Sequence, residues 1–394
     1  MRIFYFFSSY ISHLTAGQDY FRCLASLGHE LGSNLPPEAQ AAVLADGREA
    51  RKAGAPSKPL PEAELAPEQL AFAATADLVI LHEDPLRYAE VFQRLPFLSG
   101  RRVAAYVAWE NEVLSPFYLE PLQLASEVWS CSDFSCRAIA PHVRKCRLLP
   151  HLVRRPRLEA EDARWAESVI SGGAGTAAAR ESGAGGKFSG RSAGRPFVFL
   201  SVVDGINPRK NLQGLLAAYG LLRRQIRRPT RLLLKQYRVG LDLTGLSAAG
   251  LEGVSSLEGE LSAGRMAALY AGCDAYVSAH HAEGWGLGLS SAMAYGKPVI
   301  ATAYSGNMQY MNAANSLPVP YKLAPVSEEM LRLIPLFRPG MLWAEPDLAA
   351  FASAMRLAAE GRLPRDLPAR AAEIVRDFGP PAISGRLAEL LAGR

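Results

Sequence analysis

One loop of the sequence combines a carboxylate, two imidazoles and three glycines, and it reads AHHAEGWGLG. The carboxylate is Glu283, and the imidazoles belong to His280 and His281. The apolar run AYVS precedes this loop, and a helical pattern follows it. Glycines let the backbone approach a ligand closely, and the free N–H groups at a helix start favour an anion such as a phosphate. Glu283, at the mouth of the loop, could accept hydrogen bonds from sugar hydroxyls.

Short apolar runs alternate with helical patterns along both halves of the chain. The predicted strands are Arg2–Phe7, Leu78–Leu81, Val103–Val107 and Val128–Ser130 in the first half, and Phe197–Val203, Arg231–Lys235, Ala275–Ser278 and Val299–Ala303 in the second. This rhythm is typical of βαβ units with a parallel sheet. The sequence therefore predicts an α/β protein with two Rossmann-like, doubly wound domains, and the cleft between them is the expected ligand site.

A stretch rich in Gly, Ala and Ser interrupts this rhythm between the two halves. It runs from Ser171 to Gly194, and its composition predicts a linker or a surface insertion rather than a core. The predicted divisions are an N-terminal domain at 1–155, a linker or insertion at 156–195, a C-terminal domain at 196–365 and terminal helices at 366–394. We expect the terminal helices to pack back on the first domain.

The composition is that of a globular protein large enough for two cores. The chain has 394 residues, of which 49% are hydrophobic and 21% are charged, and 43 basic against 38 acidic residues give a net charge of +5. Five cysteines without a C-x-x-C pair argue against a disulfide framework and against a zinc site, so we expect reduced thiols. Without a signal-peptide pattern or an apolar run of about 18 residues, a cytoplasmic protein is expected.

A longer motif surrounds the glycine-containing loop. It reads E-G-W-G-L-x-L-x-x-A-M-A-x-G-K-P-V-I-A-T from Glu283, and the S-G-N of Ser305–Asn307 follows it. Together with Pro208–Asn211 and Trp343–Asp347, this motif resembles the retaining glycosyltransferases of glycosyltransferase family 4, which have the GT-B fold. The first half contributes Trp109-Glu110, Glu127–Phe134 and Pro150-His151 to the resemblance.

The resemblance implies that the second domain binds a nucleotide-diphospho-sugar and that the first domain binds the acceptor. Transfer would retain the anomeric configuration and would require no metal and no cofactor. Glu283 would position the donor sugar, and Lys210 with Arg209 or Lys235 would hold the diphosphate, whose developing charge needs basic groups. His13, in the loop after the first strand, is a second catalytic candidate. The other expected donor contacts are His280, Gly284, Trp285, Gly286, Leu287, Ser291, Ser305, Gly306 and Asn307, and the expected acceptor contacts are Trp109 and Glu110.

Three features depart from the family pattern. Ser291 replaces the glutamate that usually holds the ribose, and Asp204 replaces an arginine that helps to bind the diphosphate. The loop after the first strand, SSYISHLTAG, has only Gly17 where many members have a glycine-rich loop. A non-catalytic GT-B-like subunit with a degenerate donor site therefore stays open, as does a GT-B sugar-nucleotide epimerase. A dehydrogenase is disfavoured because no G-x-G-x-x-G follows the first strand of either half.

A basic stretch from Arg137 to Arg157 contains seven basic residues and no acidic one. It is compatible with a solvated face and also with a dock for an anionic membrane surface or a lipid-diphosphate acceptor. Nucleic acid is not an expected partner, because the sequence contains no recognised binding module. The expected function is sugar transfer to a glycan or lipid-linked acceptor in surface polysaccharide assembly. The expected location is the cytoplasm, with peripheral contact at the inner membrane face.

Overall fold

The computed structural model describes residues 1–45, 58–172, 179–181, 195–237 and 251–393. The chain folds into two compact units. One contains residues 1–152 and the chain from Arg376 onward, and the other is Val153–Val375. Each unit contains a sheet of parallel strands combined with helices, which confirms the predicted α/β fold.

The first unit is built on one parallel sheet. Its strands are β1 (Arg2–Phe7), β2 (Glu30–Ser33), β3 (Leu78–His82), β4 (Val103–Tyr106), β5 (Glu127–Ser130) and β6 (Cys146–Leu148), in the order β2-β1-β3-β4-β5-β6. Its helices are α1 (Ile11–Ser26), α2 (Pro37–Leu44), α3 (Pro67–Thr75), α4 (Tyr88–Arg94), α5 (Pro116–Leu122), α6 (Asp133–Ile139) and α15 (Pro380–Leu391). Every residue of β3 and β4 is buried, as expected for parallel strands that are covered on both faces.

The C-terminal helix α15 packs against α1 in this first unit. Leu387 is fully buried on its inner face. The Arg102 guanidinium donates hydrogen bonds to the carbonyls of Leu390 and Leu391, at 3.0 and 3.2 Å, and pairs with Glu127 at 2.9 Å. A cation at the end of a helix satisfies its last carbonyls and interacts favourably with its dipole. Apolar packing and these hydrogen bonds therefore both hold α15 in place.

The second unit contains a sheet in which all but one edge strand are parallel. Its strands are β7 (Ala179–Glu181), β8 (Phe197–Val202), β9 (Thr230–Lys235), β10 (Val254–Leu257), β11 (Ala275–Ser278), β12 (Val299–Thr302) and β13 (Leu317–Val319), in the order β13-β12-β11-β8-β9-β10-β7, with β7 antiparallel to β10. The strands β14 (Tyr321–Pro325) and β15 (Leu342–Pro346) form an antiparallel pair. The helices are α7 (Ala160–Ile170), α8 (Leu212–Gln225), α9 (Ala263–Gly272), α10 (Leu287–Ala294), α11 (Glu328–Leu333), α12 (Leu348–Ala359) and α13 (Leu367–Ala372), and α14 (Ile374–Phe378) contains the boundary between the units.

Helix α7 falls in the stretch 156–195, for which the sequence analysis expected a linker or an insertion. It packs against α9, and its C-terminal residues Val169 and Ile170 are buried. The buried Arg231 donates hydrogen bonds to the carbonyls of both residues, at 2.7 and 3.1 Å. These contacts make α7 part of the second unit of the described structure. Residues 173–178 and 182–194 of that stretch lie outside the described residues.

The predicted bounds at residues 155 and 365 are close to the division of the described structure but do not coincide with it. The units separate after Leu152 and after Val375. The domain limits proposed from the sequence stay predictions.

Leu387→Ala should destabilise the first unit by about 2–5 kcal/mol, because it removes a fully buried side chain and leaves a cavity. The free energy of unfolding in urea, followed by circular dichroism, measures this loss. The matched control is Leu323→Ala, at a position 46% exposed, which should change that free energy by no more than about 0.5 kcal/mol. Equal effects of the two substitutions would contradict the burial of α15.

Candidate functional site

Glu283, Arg209 and Lys210 form a charged cluster at one edge of the second sheet. Glu283 follows β11, and the two basic residues follow β8, which is the neighbour of β11 in the sheet. Glu283 Oε1 lies 2.5 Å from Lys210 Nζ, and Glu283 Oε2 lies 3.3 Å from Arg209 Nη1. Because the carboxyl ends of parallel strands meet at the same edge, residues far apart in sequence converge there. The cluster thus lies where α/β proteins commonly bind ligands.

The two cations keep Glu283 ionised. Burial by itself raises the pKa of this carboxyl, since Glu283 is only 7% exposed. The charges of Lys210 and Arg209 outweigh burial and lower the pKa to about 2. At neutral pH Glu283 is therefore a hydrogen-bond acceptor with no proton to donate.

Two asparagines position the basic residues of the cluster. Asn207 begins a 3-10 turn at Pro208–Lys210, and its side-chain oxygen accepts a hydrogen bond from the Arg209 backbone N–H at 3.1 Å. Asn211 adopts a left-handed conformation with φ 51° and caps α8 by accepting from the Gly214 N–H. Its side-chain amide also donates to the Ala279 carbonyl at 2.9 Å. Asn211 thereby ties the start of α8 to the end of β11.

The turn after β12 fixes the backbone of Glu283 from both sides. Ser305 Oγ accepts a hydrogen bond from the Glu283 N–H at 2.7 Å, and the Gly306 N–H donates to the Glu283 carbonyl at 2.8 Å. Ser305 has φ 75°, a region that a residue with a side chain rarely adopts and that costs of order 1–3 kcal/mol. A Cβ on Gly306 would lie 1.8 Å from the Gly284 carbonyl oxygen, so glycine is required there. The geometry of Glu283 therefore depends on this turn.

His280 and Asn307 form a buried polar chain below the loop. His280 Nδ1 is hydrogen-bonded to Ser278 Oγ at 3.0 Å, and its Nε2 is hydrogen-bonded to Asn307 Oδ1 at 3.1 Å. The Asn307 amide also donates to the Thr302 carbonyl at 3.0 Å. Burial lowers the pKa of His280 to about 4, so its ring is neutral at pH 7. In the described structure both side chains support the loop rather than project from it.

His281 has a packing role in the described structure. Its ring stacks on Trp343 with a centroid distance of 4.0 Å, and its Nδ1 donates to the Ala344 carbonyl at 2.7 Å. Burial lowers its pKa. The segment Trp343–Asp347, identified in the sequence, is thus attached to the loop that contains Glu283.

The glycine-containing loop leads into helix α10, and its tryptophan faces inward. Trp285 is 2% exposed, and its indole N–H donates to Ser290 Oγ at 3.1 Å. The donor contact expected of Trp285 stays a prediction. Gly286 adopts φ 86° immediately before α10, a conformation that favours glycine. Leu287 and Ser291 are partly exposed on α10.

Lys235 is bound elsewhere at the sheet edge. Its ammonium group donates to the carbonyls of Gln236 and Gly259, at 2.8 and 2.6 Å. Burial lowers its pKa to about 8, although the nearby Glu260 acts in the opposite direction. Of the cations expected to hold a diphosphate, the structure therefore joins Arg209 and Lys210 to Glu283 and binds Lys235 to backbone carbonyls.

The residues predicted in the first unit differ in their accessibility. The Nδ1 atom of His13, on α1, is buried without a hydrogen-bond partner among the described residues. Burial lowers the pKa of His13, while the carboxylates of Glu110 and Asp84 oppose this effect. Trp109 is 1% exposed and donates its indole N–H to the Val113 carbonyl at 2.9 Å. The side chain of Trp109 is therefore part of the core, whereas Glu110 is only partly buried. The acceptor contacts expected of both residues stay predictions.

The sequence analysis missed a buried network of histidine and tyrosine side chains at the carboxyl ends of β3 and β4. His82 Nδ1 is hydrogen-bonded to the Tyr5 hydroxyl at 2.7 Å. The Tyr20 hydroxyl is hydrogen-bonded to the Tyr106 hydroxyl at 2.7 Å and lies 3.2 Å from His151 Nδ1. The signal that could have identified it is a polar or aromatic residue that ends an apolar strand, as His82 and Tyr106 do.

The described residues form neither a metal-binding cluster nor a membrane-spanning helix. No group of three or more His, Cys, Asp or Glu residues in the described ranges is arranged to hold a metal ion. Within the same ranges, no helix combines the length and the apolar character that a bilayer crossing requires.

One family model matches the segment of the sequence that contains the cluster. Residues 187–316 match the family model "Glycosyl transferases group 1". No curated protein sequence matches the chain at the significance applied. Among solved structures, HepE of Anabaena in complex with UDP and glucose has a TM-score of 0.64 at 16% identity, with 100% of both chains covered. Sucrose-phosphate synthase of Thermosynechococcus elongatus has a TM-score of 0.61 at 16% identity, with 100% of this chain and 99% of the other covered. The pneumococcal O-GlcNAc transferase GtfA has a TM-score of 0.53 at 14% identity, over 80% of this chain and 56% of that one. These neighbours show a GT-B-like α/β fold.

Gly306→Ala should destabilise the second unit by about 1–3 kcal/mol, because the added methyl group would force the Glu283 loop and the turn apart. The measurement is the free energy of unfolding in urea. Gly385→Ala, in helix α15, is the control, since its Cβ would meet nothing within 4 Å and alanine favours a helix. A Gly306→Ala protein as stable as the wild type would contradict the close approach to Gly284.

The pKa of Glu283 sets the sign of the response to acid. Because its folded-state pKa of about 2 lies below the ordinary value of 4.5, the carboxylate stabilises the fold above pH 4.5, and this stability is lost as the pH falls through 2. By linkage the loss amounts to roughly 3 kcal/mol. Glu283→Gln should therefore flatten the decline in unfolding free energy between about pH 5 and pH 2. Glu252→Gln, at an exposed position of the same unit, should decline as the wild type does. Parallel declines for all three proteins would refute this assignment.

Proposed function

We propose that the protein is a retaining glycosyltransferase that moves a hexosyl group from a nucleotide-diphospho-sugar to a glycan or lipid-linked acceptor. The observation that carries this proposal is the ionised Glu283 paired with Lys210 and Arg209, inside the segment that matches the glycosyltransferase model. A carboxylate and two cations side by side suit a ligand with sugar hydroxyls at one end and a diphosphate next to them.

Each member of the cluster has a distinct part in the proposed reaction. Glu283 accepts hydrogen bonds from hydroxyls of the donor sugar. Lys210 uses one of its three N–H donors on Glu283, and its side chain is 25% exposed, so it can also reach a phosphate oxygen. Arg209 is more buried and donates to the Ala282 carbonyl at 2.6 Å, which holds its positive charge in place.

The leaving diphosphate gains negative charge as the bond to the sugar breaks. Fixed positive groups lower the free energy of that transition state, because they are oriented before the reaction begins. The cations of the cluster and the backbone of Gly284–Gly288, which leads into α10, supply this field in the proposal. Departure of the diphosphate on the same face that the acceptor attacks would retain the anomeric configuration. The reaction as proposed requires neither a metal nor a cofactor.

The choice of substrates and the place of action are also proposals. The HepE structure was determined with UDP and glucose, so a UDP-hexose is the first donor to test. We further propose that the protein acts in surface polysaccharide assembly, in the cytoplasm, with peripheral attachment to the inner membrane face. Arg137, Arg144 and Lys145 of the basic stretch are exposed, whereas Arg147 pairs with Glu127 at 3.5 Å and donates to the Gly393 carbonyl. The exposed residues are the ones that would meet an anionic lipid.

One observation favours a non-catalytic relative as the second candidate. Asp204, which precedes the two cations in the sequence, accepts a hydrogen bond from the Ile206 N–H at 3.3 Å, and it is a carboxylate at the position where the resembled family has a diphosphate-binding arginine. Ser291 on α10 also lacks the charge of a ribose-binding glutamate. A protein with this site would serve as a partner in an assembly complex. A sugar-nucleotide epimerase would instead turn over the donor in the absence of an acceptor.

The wild-type protein should be stabilised by one class of nucleotide in a thermal-shift measurement with UDP, GDP, dTDP, CMP and their sugar conjugates, without metal. A ligand at a hundredfold excess over its dissociation constant contributes about 2.7 kcal/mol, which raises Tm by a few degrees. Lys210→Ala should abolish the shift, because it removes a phosphate-binding cation. Lys322→Ala, at an exposed position of β14, is the matched control and should preserve it.

The outcomes of this measurement separate the candidates. A shift that depends on Lys210, together with transfer of the sugar to an acceptor, supports the transferase. Turnover of the donor without an acceptor supports the epimerase. The absence of any shift in a protein that melts cooperatively overturns the transferase and supports the non-catalytic relative.

A further inference from the structure

A cleft in the first unit lies between the edge strand β6 and the C-terminal end of α15. Its volume is about 450 Å³, a size that is typical of small-molecule sites. Its lining contains three basic side chains, one acidic side chain and two leucines. The residues of this lining are Lys145, Arg147, Leu148, Arg386, Glu389, Leu390 and Gly393.

The guanidinium group of Arg147 is engaged within the protein. It pairs with Glu127 at 3.5 Å and donates to the carbonyls of Leu390 and Gly393, at 3.4 and 3.0 Å. The Arg147 side chain is only 9% exposed. Arg147 therefore joins β6 to the end of α15, and Glu127 offsets its charge.

The other two cations of the cleft, Lys145 and Arg386, have neither an ion pair nor a hydrogen bond with another described residue. Lys145 is exposed just before β6, and Arg386 is partly buried on α15. Basic side chains often bind the last carbonyls of a helix, but Arg102 and Arg147 already do so at the end of α15. Lys145 and Arg386 are therefore available to bind an anion.

We propose that this cleft binds a phosphate monoester, with Lys145 and Arg386 donating hydrogen bonds to the phosphate oxygens. A phosphate monoester carries nearly two negative charges at pH 7, which match the two available cations. The guanidinium group can donate two parallel hydrogen bonds to phosphate, and the ammonium group acts as a point charge. Leu148 and Leu390 contact the organic part of the ligand, and the exposed Glu389 turns toward water.

This inference does not rest on the proposed function, since the cleft belongs to the first unit and the Glu283 cluster belongs to the second. The sequence identified Lys145 within a basic stretch but could not pair it with Arg386, because the two residues meet only through the packing of α15. A phosphate monoester can be a free metabolite or the headgroup of an anionic lipid, and both sources present the same group to the cleft.

Isothermal titration calorimetry of the full-length protein with glycerol 3-phosphate tests the cleft. The wild type should bind it, whereas glycerol should give no heat of binding. Lys145→Gln and Arg386→Gln should each weaken binding by about tenfold, because each removes a hydrogen bond from a charged group. Arg144→Gln is the matched control, since Arg144 is exposed next to Lys145 but lies outside the lining of the cleft, and it should bind as the wild type does.

Lys210→Ala separates this cleft from the Glu283 cluster, which could also take a phosphate. Binding of glycerol 3-phosphate should persist in Lys210→Ala, whatever the nucleotide experiments show. Binding that is lost in Lys210→Ala but retained in Lys145→Gln and Arg386→Gln would assign the phosphate to the cluster and overturn the proposal.

Vesicle sedimentation distinguishes the two sources of the phosphate. Phosphatidylcholine vesicles with and without phosphatidic acid are compared. Retention that requires phosphatidic acid and is lost in Lys145→Gln and Arg386→Gln supports a lipid headgroup. Binding of glycerol 3-phosphate without such retention supports a soluble monoester. Binding of neither probe, or equal binding by Arg144→Gln and the two cleft variants, overturns the proposal.

A purely structural role of the two cations predicts a different pattern of stability in urea. In that case Lys145→Gln and Arg386→Gln lower the free energy of unfolding without ligand, and glycerol 3-phosphate does not stabilise the wild type. Our proposal predicts similar free energies of unfolding without ligand, and a stabilisation by glycerol 3-phosphate that is large only in the wild type and Arg144→Gln.

Discussion

The charge balance at Glu283 constrains the elements around it. A carboxylate with this little exposure is unfavourable unless neighbouring charges offset its loss of hydration. Lys210 and Arg209 supply that charge, and both reach the carboxylate because β8 and β11 are adjacent in the sheet. The order of the strands therefore determines whether the cluster can form at all. A buried carboxylate whose pKa is raised by burial and lowered by nearby cations occurs in functional sites and also in structural ion pairs. The nucleotide-binding experiments distinguish these two cases.

Hydrogen bonds fix the backbone of Glu283, just as ion pairs fix its carboxylate. Ser305 and Gly306 bond to both backbone groups of Glu283, and Asn307 connects the same turn to His280. The unusual φ of Ser305 persists because these bonds over-determine it. A site in which dipoles and charges are oriented in advance needs little reorganisation when a ligand arrives. Rigid support of this kind is consistent with the proposed electrostatic role.

In the first unit, charged side chains hold the C-terminal helix. Glu127 pairs with Arg102 and Arg147, and both arginines donate to carbonyls at the end of the C-terminal helix. This arrangement attaches the last helix of the chain to the sheet formed by its first residues. The carboxyl ends of β3 and β4 hold the histidine and tyrosine network, where His13 presents a nitrogen without a partner among the described residues.

The sequence by itself determined the class of fold and the position of a glycine-containing loop between a strand and a helix. Alternating apolar and helical patterns predict parallel strands, and the run from Glu283 predicts a glycine-containing turn before a helix, because both signals are local in the chain. Local signals also placed Arg209 and Lys210 after the first strand of the second half. The sequence did not show which of its side chains are buried. Trp285 and Trp109 are buried and α7 packs against α9, because burial depends on which distant elements pack over a residue.

Only the tertiary structure decided which groups each side chain contacts. Lys235 ends a strand just as the sequence predicts, yet its ammonium group binds backbone carbonyls instead of joining Glu283. Cys136 and Cys146 have no motif in common, yet they lie on α6 and β6, which pack against each other. Side-chain partners depend on strand order and on helix packing, and these arise from contacts between residues far apart in the chain. Periodicity and turn residues are read within a few positions, so the sequence determines the elements and the fold determines which side chains meet.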